Sequence, residues 1–357
     1  MSSVVRRSLY RFIAAFIILG GFLYLIGWRE VIDAFYRVSP FFALLGFGAG
    51  VISILFLALT WWVMLDLAGL PLSLPRLYQT FFGGTFMNNI TPLGQLGGEP
   101  FIAYVVSQNG DISYEEAFAA IFSSDIINTA PFFTFSTVGL LFIFFSRYSR
   151  FAPLLAGFLA VVLAAMIAIL ALLWYSRSTA KDLLLSVASG IRWLHDRVPL
   201  DIDLIVKQLE HSRLESRIET FYETLDIVFQ HPRSLLETLL ISHASWLLSI
   251  TALYAFLVAV GWPIPFYLVF FILPASFLAS YIPLPGGLGG IEMFAYAMLV
   301  LIAGVSGPAA SVAFILFRFS TFGVTVIVGG LALWSMSLDM EEIAASVEAR
   351  TDLAITG

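Results

Sequence analysis

Pro283-Leu284-Pro285-Gly286-Gly287-Leu288-Gly289-Gly290-Ile291-Glu292 interrupts the most apolar part of this chain. Between Thr238 and Leu338 only Glu292 and Arg318 carry charge. A segment that apolar belongs in hydrocarbon, yet the decamer does not sustain a helix. Proline lacks the N–H and clashes with the preceding turn, and glycine favours open backbone. In a bilayer, broken backbone survives only where protein or a water-filled cavity surrounds it. The stretch therefore reads as a helix break at membrane depth, a feature that marks binding sites in transporters.

Thr91-Pro92-Leu93-Gly94-Gln95-Leu96-Gly97-Gly98-Glu99 has the same grammar. Shifted by about 192 residues, Gly94, Leu96, Gly97 and Gly98 fall on Gly286, Leu288, Gly289 and Gly290. One more residue of shift puts Glu99 on Glu292 and Asp125 on Arg318. Two glycine-rich breaks, each followed by a glutamate and later by a second charge, argue for an internal repeat.

Composition sets the class. The chain is 60% hydrophobic and 12% charged, with a mean hydropathy of +0.94, where soluble domains carry about 25% charged residues. It reads as an all-α polytopic membrane protein, one membrane domain over residues 1–357. A net charge of −6 gives nucleic-acid binding no support. The absence of cysteine excludes disulfides and thiolate metal sites.

Taken in order, residues 1–40 hold a first span (Leu9 to Ile26) and a loop, and Arg6, Arg7 and Arg11 argue for a cytoplasmic N-terminus. Residues 41–146 form the first repeat. It has a span from Phe41 to Leu65, a short apolar limb from Leu77 to Ile90, and a returning limb from Pro100 to Gln108. A further helix opens on the capping box Ser113-Tyr114-Glu115-Glu116 and bends at Pro131. Gly46 and Gly50 form a small-xxx-small pair suited to close helix packing. Residues 151–175 are a connecting span. Residues 176–237 hold eight Lys/Arg and ten Asp/Glu, with Leu and Ile at helical spacing, so they read as amphipathic helices outside the membrane. Residues 238–338 repeat the plan, with limbs Phe266 to Ile282 and Glu292 to Ala303 and a last span carrying Arg318. Residues 339–357 are an acidic tail. About six spans and two re-entrant hairpins result, the two repeats having opposite orientation. The C-terminus then shares the cytoplasmic side.

The candidate site gathers at the two breaks. Asn88, Asn89, Thr91, Gly94, Gln95, Gly97, Gly98, Glu99, Asp125 and Asn128 belong to the first repeat. Pro285, Gly286, Gly287, Gly289, Gly290, Glu292 and Arg318 belong to the second. Charges in hydrocarbon cost about 3 kcal/mol each, so they should face an interior or a cavity. Two readings stand for Glu292 and Arg318: a polar site for a lipid head group, and a structural ion pair. In the first repeat the matching positions are two acids, which would share a proton in a low-dielectric site. Gly287 and Gly289 are expected to supply φ > 0 or close backbone approach, with Gly304 as an ordinary loop glycine. His195, His211, His231 and His243 have no metal-ligand spacing, and no catalytic signature or cofactor motif is present. The expectation is a protein that is not an enzyme and holds neither metal nor cofactor.

The two breaks, with the later intramembrane arginine, resemble the lysylphosphatidylglycerol synthase/flippase transmembrane family over essentially the whole chain. The resemblance implies a membrane protein that moves an anionic or zwitterionic phospholipid, or a polyprenyl-linked lipid, between leaflets of the cell membrane. Residues 1–357 include no match to the soluble aminoacyl-transfer domain of bifunctional members, so the resemblance does not imply synthesis of an aminoacylated lipid. Ile102 stands where many members have arginine, and Ser124-Asp125-Ile126-Ile127-Asn128 where many have Glu-Arg-x-x-Asp. A lysine-bearing lipid is therefore not implied. The alternatives are a membrane subunit or an intramembrane transferase working with a glycosyltransferase or lipid-modifying partner. A homo-oligomer is a further partner expectation.

Single cysteines at Leu72 and Gly110, introduced into this cysteine-free chain, are predicted to label from the same side of the membrane. Labelling from opposite sides would make the first hairpin a full span.

Overall fold

The computed structural model describes residues 28–90, 113–175, 211–281 and 287–335, together with 103, 106, 107 and 189. Among them all regular structure is helical: α1 (Trp28–Tyr36), α2 (Pro40–Leu67), α3 (Leu74–Ile90), α4 (Tyr114–Asn128), α5 (Ala130–Phe144), α6 (Ala152–Tyr175), α7 (His211–Gln230), α8 (Pro232–Ala259), α9 (Phe266–Phe277), α10 (Gly290–Leu301), α11 (Gly307–Arg318) and α12 (Val324–Ser335). The first span, the stretch Thr91–Glu99, the decapeptide up to Gly286, the insert up to 210 and the acidic tail lie outside the described residues.

Five helical segments among the described residues are long and apolar enough to cross a membrane. They are Pro40–Leu67, Tyr114–Phe144, Ser149–Ala168, Pro232–Ala259 and Gly307–Ser335. Two shorter apolar helices, Phe266–Ser280 and Gly290–Leu301, flank the second break. This agrees with the sequence reading except at boundaries. Helix α8 begins at Pro232 rather than near Thr238, because a proline in the first turn needs no N–H partner and is already at helical φ. The bend read at Pro131 falls at Thr129, where α4 ends and α5 begins with Pro131 in its first turn. The capping box is made as read: Ser113 Oγ accepts from Glu116 N at 3.2 Å, and Ser113 N donates to Glu116 Oε2 at 2.6 Å.

The helix order recurs. Helices α2 and α8 are both 28 residues long, and their first residues, Pro40 and Pro232, hold the same place in the two repeats. Leu74 and Phe266 open α3 and α9, and Tyr114 and Gly307 open the long two-part spans. Each of those spans is irregular at the matching place. One breaks at Thr129, and the other contains a π-helical turn, Phe319–Gly323.

Helices α2 and α8 run antiparallel along their contact. Ser39 N donates to Ala259 O (2.8 Å), and Ser245 Oγ donates to Ser53 O (2.8 Å). Between them Gly46 faces Ala252 and Phe256. The repeats also exchange partners. Short helix α3 of the first packs on α12 of the second, where Gly329 lies against Phe82 O and Phe86, and Gln79 Nε2 donates to Ser335 Oγ at 2.9 Å. Short helix α9 of the second packs on α5 of the first, where a Cβ on Gly139 would lie 2.9 Å from Phe271 N and from Tyr267 O. Glycine is required at these crossings because helix association in lipid rests on close van der Waals contact rather than on the hydrophobic effect.

Helix α7 of the insert buries Ile218, Tyr222 and Leu225 and packs the Phe221 ring, tilted, against Phe118 and Phe122 of α4. A purely solvated connector would bury none of these.

Overpacking of a closed crossing costs roughly 1–3 kcal/mol. Gly139→Leu and Gly329→Leu should therefore lower the thermal midpoint of the purified protein, while Gly157→Leu, with open space around it, should leave the midpoint unchanged. Equal losses at all three would remove the glycine argument.

Candidate functional site

The chain re-enters the described structure at Gly287, with φ 65, and reaches Gly289, with φ 85. Both values lie in the left-handed region that side chains avoid. A Cβ at Gly287 would also lie 2.7 Å from Ile291 Cδ1. Gly304, read from sequence as an ordinary loop glycine, has φ 72 and is under the same backbone demand. Gly289 caps α10, and Gly290 is its first residue. The first N–H groups of such a helix have no partner within it. Glu292 supplies one, its Oε2 accepting from Gly289 N at 2.8 Å.

The second oxygen of the same carboxylate accepts from Arg318 Nε at 2.7 Å. Glu292 and Arg318 are 7% and 9% exposed, so the pair is removed from both lipid and water. Arg318 is the last residue of α11, immediately before the π-helical turn. Its guanidinium also lies over the Phe322 ring, 4.5 Å from the centroid. Ring, carboxylate and amide thus share the compensation of charges that would otherwise be expensive at this depth. The structural ion pair among the two readings is present, and it fastens the break to the last long helix.

A neutral polar cluster joins α2 and α4. Thr60 of α2 donates to Leu57 O (2.6 Å), so its hydroxyl proton is committed. Ser124 of α4 donates to Thr60 Oγ1 (2.8 Å). Both oxygens are left only as acceptors, so Asn128 must present its Nδ2, at 3.3 Å from Thr60 Oγ1 and 3.4 Å from Ser124 Oγ. That order obliges Asn128 Oδ1 to point away, and it is buried without a partner among the described residues. Asp125 is half-buried next to Ser124, and Asn88 and Asn89 are half-buried in the last turn of α3.

The structure thus brings together Gly289, Glu292 and Arg318 on one side, and Asn128 with Ser124 and Thr60 on the other. Thr91, Gly94, Gln95, Gly97, Gly98, Glu99, Pro285 and Gly286 lie outside the described residues, and with them the pairing of Glu99 with Asp125. Sequence reasoning missed Thr60. The available signal was a lone threonine on the face of α2 that carries Gly46, Gly50 and Ser53.

The fold and site define a multi-pass helical membrane protein whose broken helix is held by a buried ion pair. The profile of the lysylphosphatidylglycerol synthase TM region family matches residues 12–329, and the chain belongs to that family. It is 25% identical over 328 residues to a UPF0104 membrane protein of Methanothermobacter thermautotrophicus, covering 88% of this chain and 91% of the relative. It is 26% identical over 307 residues to one from Pyrococcus horikoshii, covering 85% and 90%.

Removing one partner of a buried pair strands the other, at a cost of about 3–5 kcal/mol. Arg318→Met should therefore lower thermal stability strongly, and adding Glu292→Gln should restore part of the loss in a double-mutant cycle. Additive losses would mean that the two side chains act separately.

Proposed function

We propose that this protein moves a lipid with a polar head group between membrane leaflets, through a cavity between two inverted repeats. The carrying observation is the broken helix itself, held in shape by the buried pair of Arg318 and Glu292, because discontinuous helices at membrane depth mark the substrate sites of transporters of repeat architecture. The antiparallel run of α2 against α8 supports the inversion, because equivalent helices of inverted repeats must point in opposite directions. The bond between Ser245 and Ser53 supports it further. These two positions, 192 apart, are equivalents in the repeat, and a residue that touches its own equivalent lies on the axis relating the copies. The short helices α3 and α9 are then the entering limbs of two re-entrant hairpins. The lipid-related name of the family fits this reading.

In this account Arg318 and Glu292 hold the second break in shape, and the head group meets the first repeat. Asn128 Oδ1, buried without a partner among the described residues, is the acceptor offered there. The protein transports rather than catalyses, sits in the cell membrane with both termini in the cytoplasm, and takes a phospholipid or polyprenyl-linked lipid as its partner.

Purified protein in liposomes with a fluorescent phospholipid in both leaflets tests the reading. Dithionite should quench nearly all the label, against about half in empty liposomes. Asp125→Asn should slow the translocation roughly tenfold, equivalent to about 1.4 kcal/mol. Quenching that stops at half in the presence of folded protein would sink the transport reading for that lipid class.

A further inference from the structure

His243 stands twelve residues into α8, in an apolar membrane-spanning helix, and neither of the clusters described above uses it. Its ring is half-buried, and Thr134 on α5, which it meets, is exposed on the molecular surface. A polar pair at that depth belongs on a water-accessible crevice rather than on lipid.

The hydrogen bonds at this ring are unusual in their direction. His243 Nδ1 lies 2.8 Å from Leu239 O. A carbonyl only accepts, so Nδ1 carries a proton in every state. His243 Nε2 lies 3.1 Å from Thr134 Oγ1. The Thr134 hydroxyl has a second acceptor, Ala130 O, also at 3.1 Å. Two complete arrangements follow. With neutral imidazole, Thr134 donates to Nε2. With imidazolium, Nε2–H donates to Thr134 Oγ1, and the threonine proton turns to Ala130 O. Every polar atom of the trio is satisfied in both states, so the site accepts a proton without leaving an unpaired group.

Ala130 is the first residue of α5, between the break at Thr129 and Pro131. The position of one proton on His243 therefore decides whether the carbonyl at the bend receives a second hydrogen bond. A Ser/Thr hydroxyl bonded to the carbonyl four residues back bends a helix. Independent support comes from neighbours on the same two helices. Thr238 and Ser242 of α8 and Ser136 of α5 have buried hydroxyls without partners among the described residues. Such groups are served by bridging water, the medium through which a proton reaches a ring.

Few charges compete. Helix α5, which touches the ring, has no ionisable side chain. On the other helices packed against α8, α2 has Asp66 near its end, α4 has Tyr114, Glu115 and Glu116 at its start and Asp125 further on, α9 has Tyr267, and α11 has Arg318 held by Glu292. The insert helix α7 adds its polar face, and α8 itself has Arg233 and Glu237 in its opening turns and Tyr254.

We propose that lipid movement is coupled to a proton bound at His243, which exchanges its hydrogen bond with Thr134 and so sets the bend at residues 129–131. The proton comes from water and adds to the Nε2 lone pair, and the imidazolium attracts a phosphate-bearing head group. The coupling rests on the transport reading above.

The test uses the full chain in liposomes holding fluorescent phosphatidylglycerol, at about pH 5.5 and about pH 8, either side of the ordinary histidine range. Wild type should move the lipid at least about fivefold faster at the acid pH, because proton supply favours the arrangement in which Nε2–H donates to Thr134. His243→Gln and Thr134→Val should flatten this ratio. A wild type without the acid preference, or a His243→Gln protein that keeps it, overturns the proposal. Nitrogen NMR of the four histidines, assigned with His243→Gln, reads proton binding separately. Between about pH 8 and about pH 5.5 the Nε2 signal of His243 should report uptake of a proton while Nδ1 stays protonated, and Thr134→Val should alter that signal. A His243 that holds one state across that range overturns the proposal even if lipid moves. A protein whose His243 takes up the proton but which moves no lipid at either pH fails the transport reading instead.

Discussion

The Glu292 carboxylate carries two obligations at once. Backbone leaving a break inside a membrane protein must find partners without water, and a guanidinium at the same depth must find a counter-charge. One oxygen accepts from Gly289 N, and the other accepts from Arg318 Nε. The start of α10 and the end of α11 are thereby tied at one residue. Because glutamate is the third residue of α10, its side chain folds back on the helix start without strain. The positive φ values at Gly287 and Gly289 bring the chain into that position, and no larger residue would adopt both.

The remaining packing follows from the same scarcity of driving forces. Helices in lipid hold together by contact and by a few hydrogen bonds. Gly46, Gly139 and Gly329 let backbones approach at three crossings between the two halves, and Gly50 lies against Ser320 in the π-helical turn. Each repeat gives its short helix to the long span of the other.

Much of this was legible in the chain. The apolar spans, the capping box at Ser113, the glycine-proline break and the ion pair Glu292–Arg318 all follow from residue chemistry and spacing. The repeat reading rests on the sharp pattern that glycine, proline and glutamate leave in the sequence. Less was legible where polarity is local. Thr60, Ser124 and Asn128 come from two helices, and nothing in their spacing announces that they meet. The direction of the Thr60 hydroxyl depends on a carbonyl three residues back, which sequence does not display. The π-helical turn after Arg318 contains Phe319, Ser320, Thr321, Phe322 and Gly323, an unremarkable run for a membrane helix. Helix α7 was underestimated because its charges suggested solvent, while Phe221 and Tyr222 settle on α4 and on its own apolar side.

The partnership of α2 with α8 also has a consequence in time. During synthesis α2 is complete when residue 67 leaves the ribosome, but Ser245, which bonds to Ser53, is 192 positions behind its partner. At about 5–20 residues per second, the first copy waits roughly 10–40 s for the helix that covers its glycine face. Helix α3 waits longer still, since α12 is the last described helix. The early half must therefore persist in the bilayer with its closest-packing surfaces open to lipid or to the insertion machinery. The connecting span α6 and the charged insert are made during that interval, before the second half arrives to close the structure.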